Sequence, residues 1–265
     1  MIHTTDDGVR IHYEVQGDGE PALVLVHGWC SNLRHWDAQV AHFAPRHRVL
    51  AVDRRGHGES DVPAVASGGY TASRHGADLA EVMDATGTTG AVVVGHAGGA
   101  PGVLALAADR PDLVRGLVLV DTIVSPQSTL GDPDDPAGAA LGAMVDRIVG
   151  ADGEDGAAAF ATMYAAMFSP HAGPVATEAV TSASRVPAAV AAEELRSLAI
   201  DTVALARAGR APVLWLTVAG ADEARLRTVF ADVQFGQVVG SGHFPHLEVP
   251  DQVNAMLDRF VSTLP

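Results

Sequence analysis

The stretch VVVGHAGGAP, residues 92–101, has the pattern of a buried strand that ends in a sharp turn and passes directly into a helix. Three β-branched valines precede the turn, and Gly95, Gly98 and Gly99 surround its tip. Glycines at such a turn let neighbouring backbone and the next helix approach where a Cβ would clash. The residue at the tip is Ala97, whose methyl side chain carries no hydroxyl, thiol or carboxylate. The stretch therefore predicts a turn that exposes the side chain at its tip, residue 97, and this side chain has no nucleophilic atom.

The composition limits the class of protein. The chain has 265 residues, of which 48% are hydrophobic and 18% charged, and this balance excludes an intrinsically disordered chain. A formal net charge of −15 repels phosphate backbones and anionic lipids, so we expect no nucleic-acid partner and no membrane association. A single cysteine excludes an intrachain disulfide, and the first 17 residues lack a basic segment followed by an apolar one. We therefore expect a cytoplasmic protein.

Short runs rich in β-branched residues recur along the chain, separated by helical patterns. Their nearly continuous apolar character favours a parallel sheet covered on both faces. The clearest helix follows Pro250, where apolar residues recur at helical spacing from Val253 to Leu264. This alternation predicts an α/β fold with a mostly parallel, doubly wound sheet. The predicted strands lie in PALVLVHG (21–28), HRVLAVD (47–53), AVVVGH (91–96), RGLVLVD (115–121), APVLWLTV (211–218) and VQFGQVVG (233–240).

One region, residues 125–205, interrupts the alternation because it contains no strand-like run. It opens with the turn-rich segment SPQSTLGDPDDPAG (125–138) and continues in alanine-rich helical sequence. We expect residues 1–124 and 206–265 to form the α/β core and residues 125–205 an inserted helical cap. In AAFATMYAAMFSP (158–170), four larger side chains fall on about one helical face. That face is either core or the apolar underside of a cap that closes over a pocket, and its members are Met163, Tyr164, Met167 and Phe168.

The turn at 92–101 resembles the nucleophile elbow of the α/β-hydrolase family. A phosphate-binding loop is the competing interpretation, but it requires the spacing G-x-G-x-x-G after the first strand, whereas here the spacing is G-x-x-G-G after a later one. Four other motifs occur along the chain in the same order as in the family, and together they cover nearly the whole chain except the cap. They are VLVHGWC (24–30), AVDRRGHGES (51–60), GLVLVDT (116–122) and GSGHFPHLEVP (240–250). The resemblance implies the α/β-hydrolase fold.

The same resemblance implies roles for individual residues. The backbone N–H groups of Trp29 and Gly98 would form an oxyanion hole, and Trp29 would also line the substrate pocket. His243, in the loop after the last strand, would be the catalytic histidine. His246 is expected to be a surface or structural residue, His27 and His96 to pack around the site, and Cys30 to be a small buried apolar residue.

The acid that orients His243 has two candidates. Most of the family places it after the seventh strand in a G-x-x-D turn, and here that region reads VAGADEARL (218–226), with Asp222 near the position and Glu223 in strict register. The alternative is Asp121, after the sixth strand. Branches of the family that include zearalenone-type lactonases and cofactor-free quinolone dioxygenases take their acid from there. We favour Asp121.

Ala97 leaves three interpretations open. In the first, the protein is a serine esterase or lactonase in which alanine replaces the nucleophile and inactivates it. In the second, a His–Asp dyad catalyses the reaction without a nucleophile, as in the cofactor-free dioxygenases. In the third, the pocket binds a ligand without catalysis, as a receptor does. We favour the first, because every other catalytic position is filled. The expected partner is a small-molecule substrate, an apolar and fairly large ester or lactone. No cofactor and no metal site are expected, since the histidines lack ligand spacing.

Overall fold

The computed structural model describes residues 1–125, 136–149, 153–198 and 200–265. Eight strands form one sheet in the order β1-β2-β4-β3-β5-β6-β7-β8. β2 pairs antiparallel with β1 and with β4, and all other neighbours are parallel. This confirms the predicted mostly parallel sheet. The strands are β1 (Ile2–Thr4), β2 (Arg10–Gln16), β3 (Leu23–Val26), β4 (Val49–Val52), β5 (Ala91–His96), β6 (Val114–Val120), β7 (Val213–Thr217) and β8 (Val233–Gln237).

Helices cover both faces of the sheet, which explains why the strands are apolar at consecutive positions. Along β3, Val24 packs on one face with the helices α2 and α3, and Leu25 packs on the other face with α1 and α11. The helices in the described residues are α1 (Asp37–Phe43), α2 (Ala72–Thr86), α3 (Ala100–Asp109), α4 (Pro136–Val149), α5 (Gly153–Ala165), α6 (Pro174–Ala183), α7 (Ala188–Ser197), α8 (Thr202–Ala208), α9 (Glu223–Val229), α10 (Pro245–Glu248) and α11 (Pro250–Thr263).

The helices α4 to α8 lie between β6 and β7 in the chain. α4 packs on α7 and α5 on α6, and their apolar side chains share a cluster with Trp29 and Phe244 of the sheet's loops. α8 packs instead against α3. The predicted boundary at residue 205 therefore falls inside a helix that lies on the sheet, and the division into core and cap stays a prediction. The predicted turn-rich segment 125–138 lies largely outside the described residues.

Helix length bears on membrane insertion. Within the part of the chain that the structure describes, no helix has both the length and the apolarity to span a bilayer.

Candidate active site

The turn between β5 and α3 is tight, and its glycines are sterically required. A Cβ on Gly95 would lie 2.7 Å from Cγ2 of Val103, and one on Gly99 would lie 2.4 Å from the carbonyl oxygen of His27. At the tip, Ala97 has φ of 44°, in the left-handed region that non-glycine residues adopt at a cost. The backbone thus presents the side chain of residue 97 in a strained conformation, although that side chain is a methyl group.

The two predicted oxyanion donors lie beside each other. A Cβ built on Gly98 would lie 3.2 Å from the backbone nitrogen of Trp29, so the two backbones are in contact at the start of α3. The indole Nε1 of Trp29 donates a hydrogen bond of 2.8 Å to the carbonyl of Ala191 on α7. Trp29 therefore joins the elbow to the helices that follow β6.

His243 is hydrogen-bonded to Asp121, the first residue after β6. Its Nδ1 lies 2.6 Å from Oδ2 of the carboxylate, and Oδ1 accepts hydrogen bonds from the Val218 backbone N–H (3.1 Å) and the Thr217 hydroxyl (3.3 Å). Since a carboxylate oxygen accepts, Nδ1 is the donor in this hydrogen bond, and Nε2 is the ring nitrogen that remains to accept a proton from another group. This is the arrangement of a histidine that acts as a general base.

The competing acids lie elsewhere. Asp222 caps α9, where its Oδ1 accepts a 3.0 Å hydrogen bond from the backbone N–H of Arg225. Glu223 is the exposed first residue of α9, and its carboxylate lies 3.3 Å from Arg227. The described structure thus brings Asp121, and neither Asp222 nor Glu223, into contact with His243.

Four segments, one of which is the loop of His243, are joined by hydrogen bonds. Its backbone N–H donates to the carbonyl of Met167 (2.7 Å), and its own carbonyl accepts from Nε2 of His96 (2.8 Å). On the other side, the Thr122 hydroxyl donates to the carbonyl of Ala97 (3.1 Å). The elbow, the end of β6, the His243 loop and the segment after α5 therefore meet at one place.

Behind the site lies a group of buried histidines. His246 is fully buried, and its ring stacks on Trp36 with centroids 4.3 Å apart, so it is a packing residue. Burial lowers the pKa of His96 and His246 well below the ordinary value, and that of His35 to about 4. These rings are neutral near pH 7 and give His243 an uncharged support.

The predicted substrate-contacting side chains divide into two groups. Met163 lines a cavity of about 300 Å³ formed by α4, α5, α7 and the segment before α7. Tyr164 is fully buried with its hydroxyl 3.1 Å from that of Ser31, and Phe168 stacks on Phe244 at 4.3 Å. Met167 contributes its carbonyl to His243, as described above. The substrate contacts assigned to these residues and to Trp29 stay predictions.

Sequence reasoning missed a buried ionic cluster beside the elbow. The Arg54 guanidinium donates through Nη2 to Oε1 of Glu194 on α7, and Nε2 of His75 lies 3.1 Å from the same oxygen. The available signal was a pair of acidic residues, Glu193 and Glu194, directly after the five apolar residues that begin α7. Among the described residues, no group of three or more histidine, cysteine, aspartate or glutamate side chains is placed to hold a metal ion.

The comparisons with known proteins identify the fold family of the chain. A family model described as the alpha/beta hydrolase fold matches residues 21–250. A non-heme chloroperoxidase from Streptomyces lividans is 39% identical over 124 residues, which cover 45% of this chain and 44% of that protein. Epoxide hydrolase 4 from Mus musculus is 31% identical over 121 residues, which cover 45% of this chain and 33% of that protein. The chain thus spans less than half the length of these relatives.

Two solved structures match nearly the full length. The esterase RhEst1 from Rhodococcus sp. ECU1013 superposes with a TM-score of 0.81 at 27% identity, covering 100% of this chain and 99% of the esterase. The enol-lactonase from Burkholderia xenovorans LB400 superposes with a TM-score of 0.83 at 22% identity, covering 99% of this chain and 100% of the lactonase, and this likeness shows the fold alone. The family match over most of the sequence and the elbow between β5 and α3 lead to one conclusion: the chain belongs to the α/β hydrolase fold family.

Proposed function

We propose that the site is that of an ester or lactone hydrolase in which Ala97 occupies the nucleophile position. The observation that carries the proposal is the 2.6 Å hydrogen bond between Nδ1 of His243 and Oδ2 of Asp121. This bond fixes the tautomer that a base beside the elbow needs, with the proton on Nδ1 and Nε2 free to accept one. The left-handed backbone at Ala97 supports the same interpretation.

The chemistry follows from the residues once position 97 carries a hydroxyl. Nε2 of His243 would take the hydroxyl proton while the oxygen attacks the substrate carbonyl, and Asp121 would stabilise the imidazolium. The N–H groups of Trp29 and Gly98 would bind the oxyanion. His243 would then return the proton to the leaving alcohol and activate water, which releases the acid. With the methyl group of Ala97, the first bond to the substrate cannot form.

The substrate that we propose is a small-molecule ester or lactone with a sizeable apolar part. The cavity of about 300 Å³ is lined mostly by apolar residues, among them Ile148, Phe160 and Met163, and its wall also includes Arg147, Ser184 and Arg185. Ala191, whose carbonyl accepts the hydrogen bond of the Trp29 indole, is part of the same wall. Apolar walls of this size suit the alcohol or acyl chain of an ester. The similarity to an esterase from Rhodococcus supports the same class.

The test is Ala97→Ser, assayed with short p-nitrophenyl esters and several lactones. We expect kcat to rise by a factor on the order of 10⁴ to 10⁶, because the nucleophile and its base act as a unit. Ala97→Gly is the matched control, since it changes the same position and relieves the positive φ without adding a nucleophile, and it should stay inactive. Equal activity of the serine and glycine variants would contradict the proposal.

A second candidate rests on the same hydrogen bond combined with Ala97. The His243–Asp121 pair is a complete general base without a nucleophile, and it can deprotonate an acidic substrate hydroxyl whose anion the Trp29 and Gly98 N–H groups hold. In a cofactor-free dioxygenase such an anion reacts with oxygen. Oxygen uptake by the unmodified chain with a hydroxyquinolone, lost in His243→Ala, would favour this candidate. Binding of such ligands without turnover in any variant would favour a receptor.

A further inference from the structure

A small pocket, which we call the Arg54 pocket, lies between α7 and the elbow. Its walls include both predicted oxyanion residues, Trp29 and Gly98, together with Arg54, His75 and Glu194. Its volume of about 10 Å³ holds one atom of the size of a water oxygen. The pocket therefore adjoins the place where the substrate carbonyl would bind, but it is distinct from the larger apolar cavity.

Arg54 supplies hydrogen-bond donors that the described protein does not use. The residue is only 4% exposed, and its Nη2 donates to Glu194. Its Nε and Nη1 have no acceptor among the described residues. Buried N–H groups of a guanidinium without an acceptor are strongly disfavoured, so these donors point to an oxygen atom as the natural occupant of the pocket.

The charges around the pocket favour a neutral oxygen over a carboxylate. Burial alone would raise the pKa of the Glu194 carboxyl, but the charge of Arg54 and the hydrogen bond with His75 outweigh burial and hold that pKa well below its ordinary value. Burial lowers the pKa of His57 to about 4 and also lowers that of His75. Glu194 is therefore ionised and balances Arg54, while both histidines are neutral. A second anion would find no uncompensated positive charge and no room.

We propose that the Arg54 pocket binds one neutral oxygen atom of the substrate, a hydroxyl or carbonyl on the carbon next to the ester carbonyl. The preferred substrates are then esters or lactones of 2-hydroxy or 2-oxo acids. The orientation rests on the proposed function, because it places the ester carbonyl at the N–H groups of Trp29 and Gly98, and these two residues are also among those that line the pocket. A 2-hydroxyl group accepts from Arg54 and can donate to Glu194, so it satisfies both partners.

The test compares two ligands of the same shape, benzyl 2-hydroxypropanoate and benzyl 2-methylpropanoate. They differ only in a hydroxyl against a methyl group, and a methyl in the pocket would leave the Arg54 donors unpaired. The unmodified chain cannot acylate at Ala97, so equilibrium binding is measured directly by calorimetry or ligand-observed NMR titration. We expect the hydroxy ester to bind at least about tenfold more tightly.

Arg54→Lys tests the assignment to this side chain. Lysine keeps a positive charge for Glu194 but lacks the planar fork that holds Nε and Nη1. The preference for the hydroxy ester should fall below about twofold in this variant. Arg34→Lys, at an arginine that is half exposed on the surface, is the matched control and should keep the full preference. If Arg54→Lys does not fold, the comparison of the two ligands in the unmodified chain still decides the proposal.

The outcomes separate this inference from the proposed function. Equal affinity for the two esters, tighter binding of the methyl ester, or no binding of either would overturn the subsite. An inactive Ala97→Ser variant together with a clear hydroxy preference would overturn the hydrolase and leave the subsite standing. An active Ala97→Ser variant that does not distinguish the two esters would overturn the subsite and support the hydrolase.

Discussion

His96 donates a hydrogen bond from Nε2 to the backbone carbonyl of His243, over 2.8 Å, and so joins the last residue of β5 to the loop of the predicted base. The two imidazole rings lie 4.8 Å apart. Burial lowers the pKa of His96 well below the ordinary value, so its ring is neutral near pH 7 and donates through Nε2 without adding charge. His96, the residue before Ala97, thereby holds the loop of His243, the predicted general base, next to the elbow.

We predict that His96→Phe in the Ala97→Ser background lowers kcat by about tenfold to a hundredfold with little change in KM. Phenylalanine fills the space but donates no hydrogen bond, so the His243 loop can shift relative to position 97, and small misplacements of a base are costly. Steady-state kinetics measure the effect. His96→Gln, which retains a side-chain N–H donor, should recover part of the rate. A rise in KM alone would contradict this positioning role.

Asp121 and Asp222 should differ sharply when each is changed to asparagine in the serine variant. Asp121→Asn removes the carboxylate that orients and stabilises the His243 imidazolium, so we expect kcat to fall by about 10⁴-fold. Asp222→Asn preserves a good helix cap at α9 and should change kcat less than twofold. The same assays, with thermal unfolding to compare stability, decide between the acids. A larger loss for Asp222→Asn would reverse the assignment.

Glu194→Ala should destabilise the protein by about 3–5 kcal/mol in urea unfolding, because it leaves the buried Arg54 charge without its partner. Both side chains are under 5% exposed, so solvent cannot compensate. The double variant Arg54→Met/Glu194→Leu removes both charges and should recover most of the lost stability. If Glu194→Ala had the same free energy of unfolding as the parent, the prediction that the buried Arg54 charge needs this partner would be wrong.

We predict that His35 makes the free energy of unfolding decrease as the pH is lowered. Burial lowers the pKa of His35 from 6.5 to about 4, so between these pH values the unfolded chain binds a proton that the folded chain does not. The free energy of unfolding is therefore fully retained above pH 6.5 and decreases as pH falls towards 4, by roughly 3 kcal/mol for this group. His35→Phe should flatten that decrease in urea titrations at pH 7.5 and 5.0, whereas exposed His171→Gln should not. An unchanged slope in His35→Phe would refute the prediction.

The sequence predicted the fold because its signals are local. The valines of β5 and the glycines around Ala97 are close together in the sequence, and the periodic face that begins at Val253 lies within one helix, α11, except for Leu264, the residue after its end. The proximity of Asp121 and His243 followed from a family resemblance that placed both residues after parallel strands. Such residues share one edge of a sheet, whatever their separation in the chain.

The missed features depend on contacts between distant segments. Arg54 and Glu194 are 140 residues apart, and nothing in the sequence around either indicates that α7 packs above the turn after β4. The periodic pattern at 158–170 predicted four side chains on one helical face, but α5 ends at Ala165, so Met167 and Phe168 lie in the turn after the helix. Tyr164 is covered by Trp29 and Ser31, whereas Met163, one residue earlier, lines the cavity.

The backbone N–H of His243 donates a hydrogen bond to the carbonyl of Met167, and this bond affects what happens when segments are exchanged between homologues. A Cβ on Gly242 would lie 2.4 Å from that oxygen, and the Glu248 carboxylate binds the N–H groups of both Ser169 and Gly242. The segment that would select the substrate is thus tied to the loop that would perform the proton transfer. A chimera that received this region from another member of the family would inherit a differently placed imidazole along with the new specificity, so the two properties would have to be re-tuned together.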